Sequence, residues 1–312
     1  MQERVAALDL GSNSFHVLVA EPTMAGWQAL LRQGEKVQLA AGLQDGKLSE
    51  AAITRGLECL ARFAPHLRNL PGSAVRAVGT HALRVAANRD EFLRPAEQLI
   101  GHPIRVIDGL DEARLIYRGA AVASGRQLVI DIGGGSTEIV LGAGARIEQL
   151  ASVPIGCITL LQFFPDGRID DTLLTKAVAA AAQHIRVAWP GSDRSAVALG
   201  ADVIGCSGTL LAVEQILLRA GWSAGGITRA GLQHLRAAVL NYPLIDAVQF
   251  EGLSESRRGV FATGLAIVLA LFEALGIDHM QLSKGALREG LIAELMAESQ
   301  PQTAALTHPR SA

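Results

Sequence analysis

The fourteen residues VIDIGGGSTEIVLG, numbers 129–142, combine residue types that bind phosphate. Three consecutive glycines separate two apolar, β-branched runs that are typical of strands. Backbone amides in a tight turn without side chains form a concave anion site, because glycine lets a phosphate approach closely. The two hydroxyl residues after the glycines add further donors. The candidate phosphate-binding residues here are Gly133, Gly134, Gly135, Ser136 and Thr137.

Two carboxylates flank this turn, Asp131 before it and Glu138 after it. Ionised carboxylates repel phosphate unless a hard cation lies between them. The pair therefore predicts a divalent metal, Mg²⁺ or Mn²⁺. Taken alone, the segment also fits an ordinary glycine-rich hairpin turn with solvated carboxylates.

An earlier segment repeats the pattern. DLGSNSFHVLVA, which begins at Asp9, matches DIGGGSTEIVLG, which begins at Asp131, in its aspartate, glycine and serine positions and in the apolar run that follows. A repeat with so long a spacing indicates two copies of one domain plan rather than a solenoid. Two such turns that face each other across a cleft would clamp a polyanion. The earlier turn contributes Asp9, Ser12, Asn13 and Ser14.

Three further positions follow apolar strands, at the end of a sheet where ligands of α/β proteins collect. Glu112 lies in the first turn of a predicted helix, where a carboxylate also simply stabilises the helix dipole. Arg84 follows the strand AVRAVGT, and an isolated arginine there is also typical of a protein surface. The segment GCSGT offers helix N-terminal amides to a phosphate or is an ordinary strand-to-helix turn. Its candidate residues are Gly205, Ser207, Gly208 and Thr209.

The elements that must position these residues are three strands followed by alternating helices and strands, and the pattern occurs twice. This order predicts an α/β fold of two actin-like (ribonuclease H-like, ASKHA) domains with a central cleft. We expect the first domain to span residues 1–124 and the second 125–298. The polar, proline-interrupted residues 299–312 read as a disordered tail.

Composition restricts the class of protein. The 312 residues are 49% hydrophobic, so they can form large cores, and the net charge of −2 argues against non-specific binding of nucleic acid. The start, MQERVAALDL, does not read as a signal peptide, and the longest apolar run, residues 260–272, is too short to span a membrane. The three cysteines suggest buried thiols. We expect a cytoplasmic protein.

Six segments resemble the exopolyphosphatase and guanosine pentaphosphate phosphohydrolase (Ppx/GppA) family, in a short two-domain form. They are AALDLGSNSFHVLVAE, ALRVAANRDEFL, GHPIRVIDGLDEARLIYRGA, VIDIGGGSTEIVLG, GCSGT and GALREG. The resemblance implies metal-dependent hydrolysis of the terminal phosphoanhydride of inorganic polyphosphate, or of the 5′ γ-phosphate of guanosine pentaphosphate (pppGpp). It also implies a homodimer.

The family's residue roles carry over where the motifs match. Glu112 would be the general base, Asp131 and Glu138 the carboxylates on the metal side, and residues 133–136 the phosphate loop. Asp9 and Ser14 would lie on the facing loop. Arg84 would pair with a phosphate oxygen.

Among substrates, the sequence favours short polyphosphate over pppGpp, because no guanine-reading pocket can be deduced from it. Short chains are expected since many relatives continue into an HD-like helical domain after the two actin-like domains. His81 and Lys284 depart from residues common in the family and would alter substrate choice. Two other classes stay open: an actin-like kinase or ATPase, and a non-catalytic sensor of polyphosphate or pppGpp.

Overall fold

The structure, a computed structural model, describes residues 4–24, 26–120, 125–190 and 199–299. Its first sheet contains five strands in the order β3-β2-β1-β6-β7. The first three are antiparallel, and β6 and β7 run parallel to β1. A separate two-stranded ribbon, β4 and β5, follows the third strand. These strands are β1 Val5–Leu10, β2 Ser14–Thr23, β3 Gly26–Lys36, β4 Leu43–Gln44, β5 Lys47–Leu48, β6 Val75–Gly79 and β7 Ile104–Val106.

The second sheet repeats this plan in the order β10-β9-β8-β11-β13-β12. Again the first three strands are antiparallel, and β11 and β13 run parallel to β8. An additional short strand, β12, pairs antiparallel with β13 at the edge. The strands are β8 Arg126–Ile132, β9 Thr137–Ala143, β10 Arg146–Val153, β11 Asp202–Gly205, β12 Ile227–Thr228 and β13 His279–Leu282.

Helices follow the parallel strands in both halves. They are α1 Glu50–Phe63, α2 His81–Val85, α3 Arg89–Ile100, α4 Gly109–Ala120, α5 Asp171–Ala188, α6 Gly208–Arg219, α7 Arg229–Val239, α8 Arg258–Ala274 and α9 Leu287–Ser299. Side-chain caps begin several of them; Ser49, for example, accepts a hydrogen bond from the Ala52 amide.

The two matching sheets confirm the predicted fold class, an α/β protein of two actin-like halves. Sequence analysis did not identify β12 or α7. A two-residue strand has no detectable alternation, and it borders the helix without a turn that would separate them.

The most apolar helix, α8, lies in the core. Every residue from Val260 to Phe272 is buried, which explains why this run has no polar face. No helix among the described residues is long and apolar enough to cross a membrane.

Helices α4 and α9 form a layer between the two sheets. Helix α9 packs against α4 and against β1, β2 and β6, although it follows the second sheet in the chain. Their backbones touch: a Cβ atom at Gly290 would lie 1.9 Å from the Leu115 carbonyl oxygen. One apolar cluster accordingly contains residues of both sheets together with Ile116 and Leu291.

The predicted domain boundary at residues 124 and 125 remains a proposal. It separates the two sheets, but α9 packs across it. Ser124 lies outside the described residues, and so does the tail beyond residue 299.

Candidate active site

Two hairpin loops meet at the centre of the molecule. Residues 11–13 join β1 to β2, and residues 133–136 join β8 to β9. A Cβ atom at Gly134 would lie 2.8 Å from the Ser12 Cβ and 3.4 Å from the Asn13 nitrogen. Only a residue without a side chain allows so close an approach, and this explains the central glycine.

The backbone of the second loop is oriented with its donors free. The carbonyls of Gly133 and Gly134 accept hydrogen bonds from the amides of Cys157 and Ile158, at 3.0 and 2.8 Å. The amides of Gly134 and Gly135 donate to no acceptor in the described part of the chain. Unpaired amides at a tight turn form an anion-binding concavity.

The carbonyls of the facing loop, residues 11–13, are also hydrogen-bonded within the protein. The Ser12 and Asn13 carbonyls accept amides from residues 37–40, and the Ser12 Oγ accepts the Ala82 amide at 3.1 Å. The Ser12 hydroxyl hydrogen is thus left to donate to a ligand. The Asn13 Oδ1 is buried and has no partner among the described residues.

Two carboxylates, Asp9 and Asp131, lie below the loops at corresponding strand ends. Burial raises the pKa of Asp9 to about 7, Arg288 opposes this rise, and Asp131 adds to it. Burial also raises the pKa of Asp131 to about 6, against a hydrogen bond from the Cys206 thiol at 3.5 Å. The Asp9 Oδ1 is buried without a partner. Nearby arginines offset the effect of burial on the two pKa values only in part, so a bound cation would stabilise both ionised carboxylates further.

Glu138 and Thr137 lie behind the loop. The Glu138 Oε1 accepts a hydrogen bond from the Ser152 hydroxyl at 2.8 Å. Burial, then the charge of Glu112, raises its pKa well above the usual value. Thr137 donates to the Ile155 carbonyl at 2.7 Å, so its hydroxyl is used within the protein.

Glu112 lies in the first turn of α4 and is 8% exposed. Burial raises its pKa, the charge of Arg84 opposes this rise, and the charges of Asp9 and Asp131 add to it. The Arg84 Nη1 donates to the Glu112 Oε2 at 3.1 Å and to the Ile107 carbonyl at 2.8 Å. Arg84 therefore contacts the carboxylate, although sequence analysis assigned it to a phosphate oxygen.

The GCSGT segment forms the N-terminus of α6. Ser207 caps the helix and accepts the Leu210 amide at 3.1 Å. Gly208 is in contact with the Arg257 guanidinium, since a Cβ atom there would lie 1.7 Å from the Arg257 Nη2. Gly205 has a packing role, because a Cβ atom there would lie 2.7 Å from the Met280 sulfur.

These elements line an open cavity of about 170 Å³. Most residues predicted for the site line it: Asp9, Ser12, Asn13, Ser14, Glu112, Asp131, Gly133, Gly134, Gly135, Ser136, Ser207, Gly208 and Thr209. Four predicted residues do not line it: Arg84, Thr137, Glu138 and Gly205.

Sequence analysis missed the cations of the cavity, Arg257 and Arg288. Within the described ranges, neither guanidinium has a hydrogen-bond or ion-pair partner, so both are available to an anion. Arg288 lies in the GALREG motif, which was the available signal. His16 also lines the cavity, and burial, then the two arginines, lowers its pKa to about 4 and keeps it neutral.

A metal would bind here through few protein ligands. No three His, Cys, Asp or Glu side chains of the described residues are arranged as a metal site. Mg²⁺ needs only one or two carboxylates when water and substrate phosphates supply its other ligands. Asp9 and Asp131 fit that requirement, because both line the cavity and the Asp9 Oδ1 has no partner. Glu138, predicted as a ligand, does not line the cavity.

Nearly the whole of this chain is similar to part of a longer curated protein. The guanosine-5'-triphosphate,3'-diphosphate pyrophosphatase of Vibrio vulnificus is 43% identical over 299 residues, which are 94% of this chain and 59% of that protein. The chain spans 59% to 61% of the length of the curated relatives that it matches.

Two solved structures share the fold. The crystal structure of the Aquifex aeolicus member of the Ppx/GppA family superposes with a TM-score of 0.76 at 24% identity and covers 96% of this chain and 100% of that one. An exopolyphosphatase from Cytophaga hutchinsonii gives 0.80 at 21% identity, covering 96% and 99%.

A family model gives the assignment. It describes the Ppx/GppA phosphatase family and matches residues 18–299, which include the glycine loop, Glu112 and the GCSGT and GALREG segments. Together with the shared fold and the facing loops, this match shows that the chain belongs to the Ppx/GppA phosphatase family.

Proposed function

We propose that this chain is a divalent-metal-dependent phosphoanhydride hydrolase that removes the terminal 5′ phosphate of pppGpp and releases orthophosphate. The observation that carries the proposal is a cavity where free loop amides, two unpaired arginines and a buried carboxylate converge. Phosphoryl transfer needs a held phosphate, neutralised charge and a positioned water, and these groups supply all three.

We rank the two candidate substrates in the opposite order to the sequence-based expectation. Sequence analysis placed short polyphosphate first because it found no guanine-reading pocket. The curated relatives at 41% to 43% identity carry the name of a pppGpp-cleaving enzyme and favour the other substrate. We therefore place pppGpp first.

The residues would act as follows. The amides of Gly134 and Gly135 bind the terminal phosphate from one side, and those of Ser12 and Asn13 from the other. Arg257, Arg288 and the N-terminus of α6 bind the phosphates behind it. Glu112 accepts a proton from the attacking water, since its raised pKa suits proton transfer near neutral pH.

A metal would be held by Asp9 and Asp131, with Mg²⁺ or Mn²⁺ as the candidates. When bound, it would neutralise charge on the phosphate oxygens. A nearby divalent cation also lowers the pKa of carboxylates, so both residues would bind it in the ionised form.

The test is orthophosphate release from pppGpp with Mg²⁺ by wild-type protein and by Glu112→Gln. Removal of a general base lowers kcat by about 100-fold or more. Glu148→Gln is the matched control, because Glu148 pairs with Arg126 on the surface, away from the cavity. If Glu112→Gln keeps most of the activity while folding normally, Glu112 is not the base.

Inorganic polyphosphate is the second candidate, and the cavity itself favours it. The residues around it suit phosphates, and among the described residues no Phe, Tyr or Trp side chain lines it that could stack on a guanine base. Rates for both substrates at equal concentration decide between them. ATP turnover would instead support the kinase or ATPase alternative, and binding without turnover a sensor. A cytoplasmic homodimer that does not bind nucleic acid remains a prediction.

A further inference from the structure

A second cavity of about 530 Å³ adjoins the phosphate cavity. His81 and Ser136 line both of them. The second cavity lies between α2 and the start of α4 on one side and the end of β10 on the other. Arg84 lines it and contacts Glu112, which lines the first cavity. The Arg84–Glu112 pair thus stands at the junction of the two spaces.

The charges of the second cavity do not suit an anion. Its arginine, Arg84, is already paired with Glu112 and the Ile107 carbonyl. Its carboxylate, Asp108, caps α4 by accepting the Leu110 and Asp111 amides, at 2.9 and 2.7 Å. The hydrogen bond from the Asp111 amide lowers the pKa of Asp108, so this group carries a negative charge that repels phosphate.

The remaining lining suits a neutral molecule with a carbon skeleton and hydroxyl groups. Val85, Leu110 and Pro154 provide apolar contacts, and the side chains of Val85 and Leu110 are 48% and 45% exposed. Ser136 and Ser152 provide hydroxyl oxygens that can accept hydrogen bonds from a ligand, since both side chains donate to Glu138. His81 lines the cavity with its ring, and its Nδ1 is buried against Gly135, where a Cβ atom would lie 2.1 Å from that nitrogen.

The two cavities divide the reacting groups between them. Arg257, Arg288 and the α6 N-terminus line only the first cavity, so the phosphates of the leaving group extend there. In an in-line displacement the nucleophile enters from the side opposite the leaving group. The second cavity, next to Glu112 and free of unpaired cations, lies on the nucleophile side.

We propose that the second cavity admits a small neutral polyol, which replaces water as the phosphoryl acceptor. The inference rests on the proposed hydrolase function and adds an activity to it. A hydroxyl oxygen of the polyol attacks the terminal phosphorus, and its proton passes to the Glu112 carboxylate. The bond from that phosphorus to the bridging oxygen breaks, and the leaving oxygen keeps the electron pair. The products are a phosphate monoester and the shortened substrate.

The experiment measures how the reaction divides between ester and orthophosphate. Wild-type protein hydrolyses the donor, pppGpp or short polyphosphate, in the presence of glycerol or 1,2-propanediol, and ³¹P NMR quantifies both products. Methanol at equal hydroxyl concentration is the reference, since it is too small to need a binding pocket. We expect the ester-to-orthophosphate ratio for the diols and triols to exceed that for methanol by about tenfold, the effect of one or two additional contacts.

Two variants test whether the second cavity is the source. Leu110→Trp and, separately, Val85→Trp fill it from exposed positions and should lower the ester ratio for glycerol by about tenfold while orthophosphate release continues. Leu218→Trp is the matched control, because Leu218 is 42% exposed on α6 and lines neither cavity. An ester ratio equal to that of methanol, or one that both tryptophan variants leave unchanged, overturns the proposal. Absence of any orthophosphate release would instead refute the hydrolase function.

Discussion

At the scale of single residues, the contact between Arg84 and Glu112 changes the interpretation of the site. Sequence analysis placed both residues at the same edge of a sheet, and the structure brings them to 3.1 Å. The arginine thus contacts Glu112, the proposed base, and its predicted contact with a phosphate oxygen stays a prediction. It offsets part of the effect of burial on the Glu112 pKa and fixes the carboxylate through the Ile107 carbonyl.

The first prediction concerns this pair. As the proposed base, Glu112 would have to be ionised to accept a proton, so we expect activity to rise with pH through its pKa. Arg84→Ala removes the charge that lowers this pKa, and the rising limb of the kcat/KM profile should move to higher pH. Arg84→Lys keeps the positive charge, so the rising limb should lie closer to its wild-type pH than it does in Arg84→Ala. A profile that Arg84→Ala lowers uniformly, without moving the limb, would indicate a contact with substrate instead.

The second prediction concerns Asp9 in the absence of metal. Its pKa is about 7 in the folded protein against a usual 3.8, so folding takes up a proton between these values. Stability contributed by the protonated form is therefore present at low pH and is lost as pH rises through this window. We expect Asp9→Asn to increase the free energy of unfolding by about 4 kcal/mol at pH 8 and little at pH 4.

Urea unfolding at both pH values, with EDTA present, measures the effect. His16 has a lowered pKa and gives the opposite pH dependence of stability, but it is present in both proteins. The difference in free energy of unfolding between variant and wild type therefore reports on Asp9. Excess Mg²⁺ should bind the ionised Asp9 of the wild type and stabilise that protein, so the two free energies of unfolding at pH 8 should come closer together. Equal stability of the two proteins at pH 8 would show that burial does not disfavour the ionised form of Asp9.

Part of the site could be predicted because its residues are close in sequence. The loop glycines, Ser12 and Asp131 occur in two short repeated segments, and local patterns of this kind fix their position at strand ends. Arg257 could not be found in this way, and Arg288 is marked only by the GALREG motif that contains it. Each lies in a segment whose approach to the cavity depends on how α8 and α9 pack, and a single arginine has no local pattern that distinguishes a ligand from a surface residue.

At the scale of elements, the loops depend on close backbone contact. Gly134 touches the facing loop, and Gly156 supports it from behind, where a Cβ atom would lie 2.4 Å from the Gly134 carbonyl carbon. Neither glycine has a positive φ among the described backbone angles. Glycine is needed here for space rather than for conformation.

The third prediction follows from this contact. In Gly134→Ala the new methyl group would lie 2.8 Å from the Ser12 Cβ and 3.2 Å from the Ile158 Cδ1, so the two loops must separate. We expect kcat/KM to fall by about 100-fold, as misplacement of the reacting groups by 1 Å does in enzymes. Gly72→Ala is the control, because a Cβ atom there has no neighbour within 4 Å. Near-normal activity of Gly134→Ala would mean that the loop spacing is not critical.

At the scale of the whole molecule, the strand order of both halves was predictable and the packing between them was not. Apolar periodicity reveals the longer strands, although not the two-residue strand β12, and the repeated motif reveals the duplication. The position of α9 depends instead on contacts between residues far apart in the chain. Arg118 pairs with Glu294, and Arg76 with Glu298, across this layer. Complementarity of this kind becomes visible only in three dimensions.

The last prediction tests whether this layer also positions the site. Arg288 lines the cavity from the first turn of α9, two residues before Gly290, whose backbone touches α4. Gly290→Ala places a methyl group against the Leu115 carbonyl and should cost about 3 kcal/mol of stability. Because the helix must shift to relieve the contact, Arg288 should shift with it, and KM should rise.

Arg288→Ala separates the two effects. It removes the cation without disturbing the helix contact, so it should raise KM by a similar factor and lower the free energy of unfolding less than Gly290→Ala does, through the lost attraction to Asp9 and Asp131. Urea unfolding and steady-state kinetics of both variants provide the measurements. If Gly290→Ala loses stability but keeps the wild-type KM, α9 stabilises the two halves without positioning the phosphate site. If Gly290→Ala keeps both the wild-type stability and the wild-type KM, the contact between α4 and α9 accommodates the methyl group. The packing of these two helices then does not control the position of Arg288.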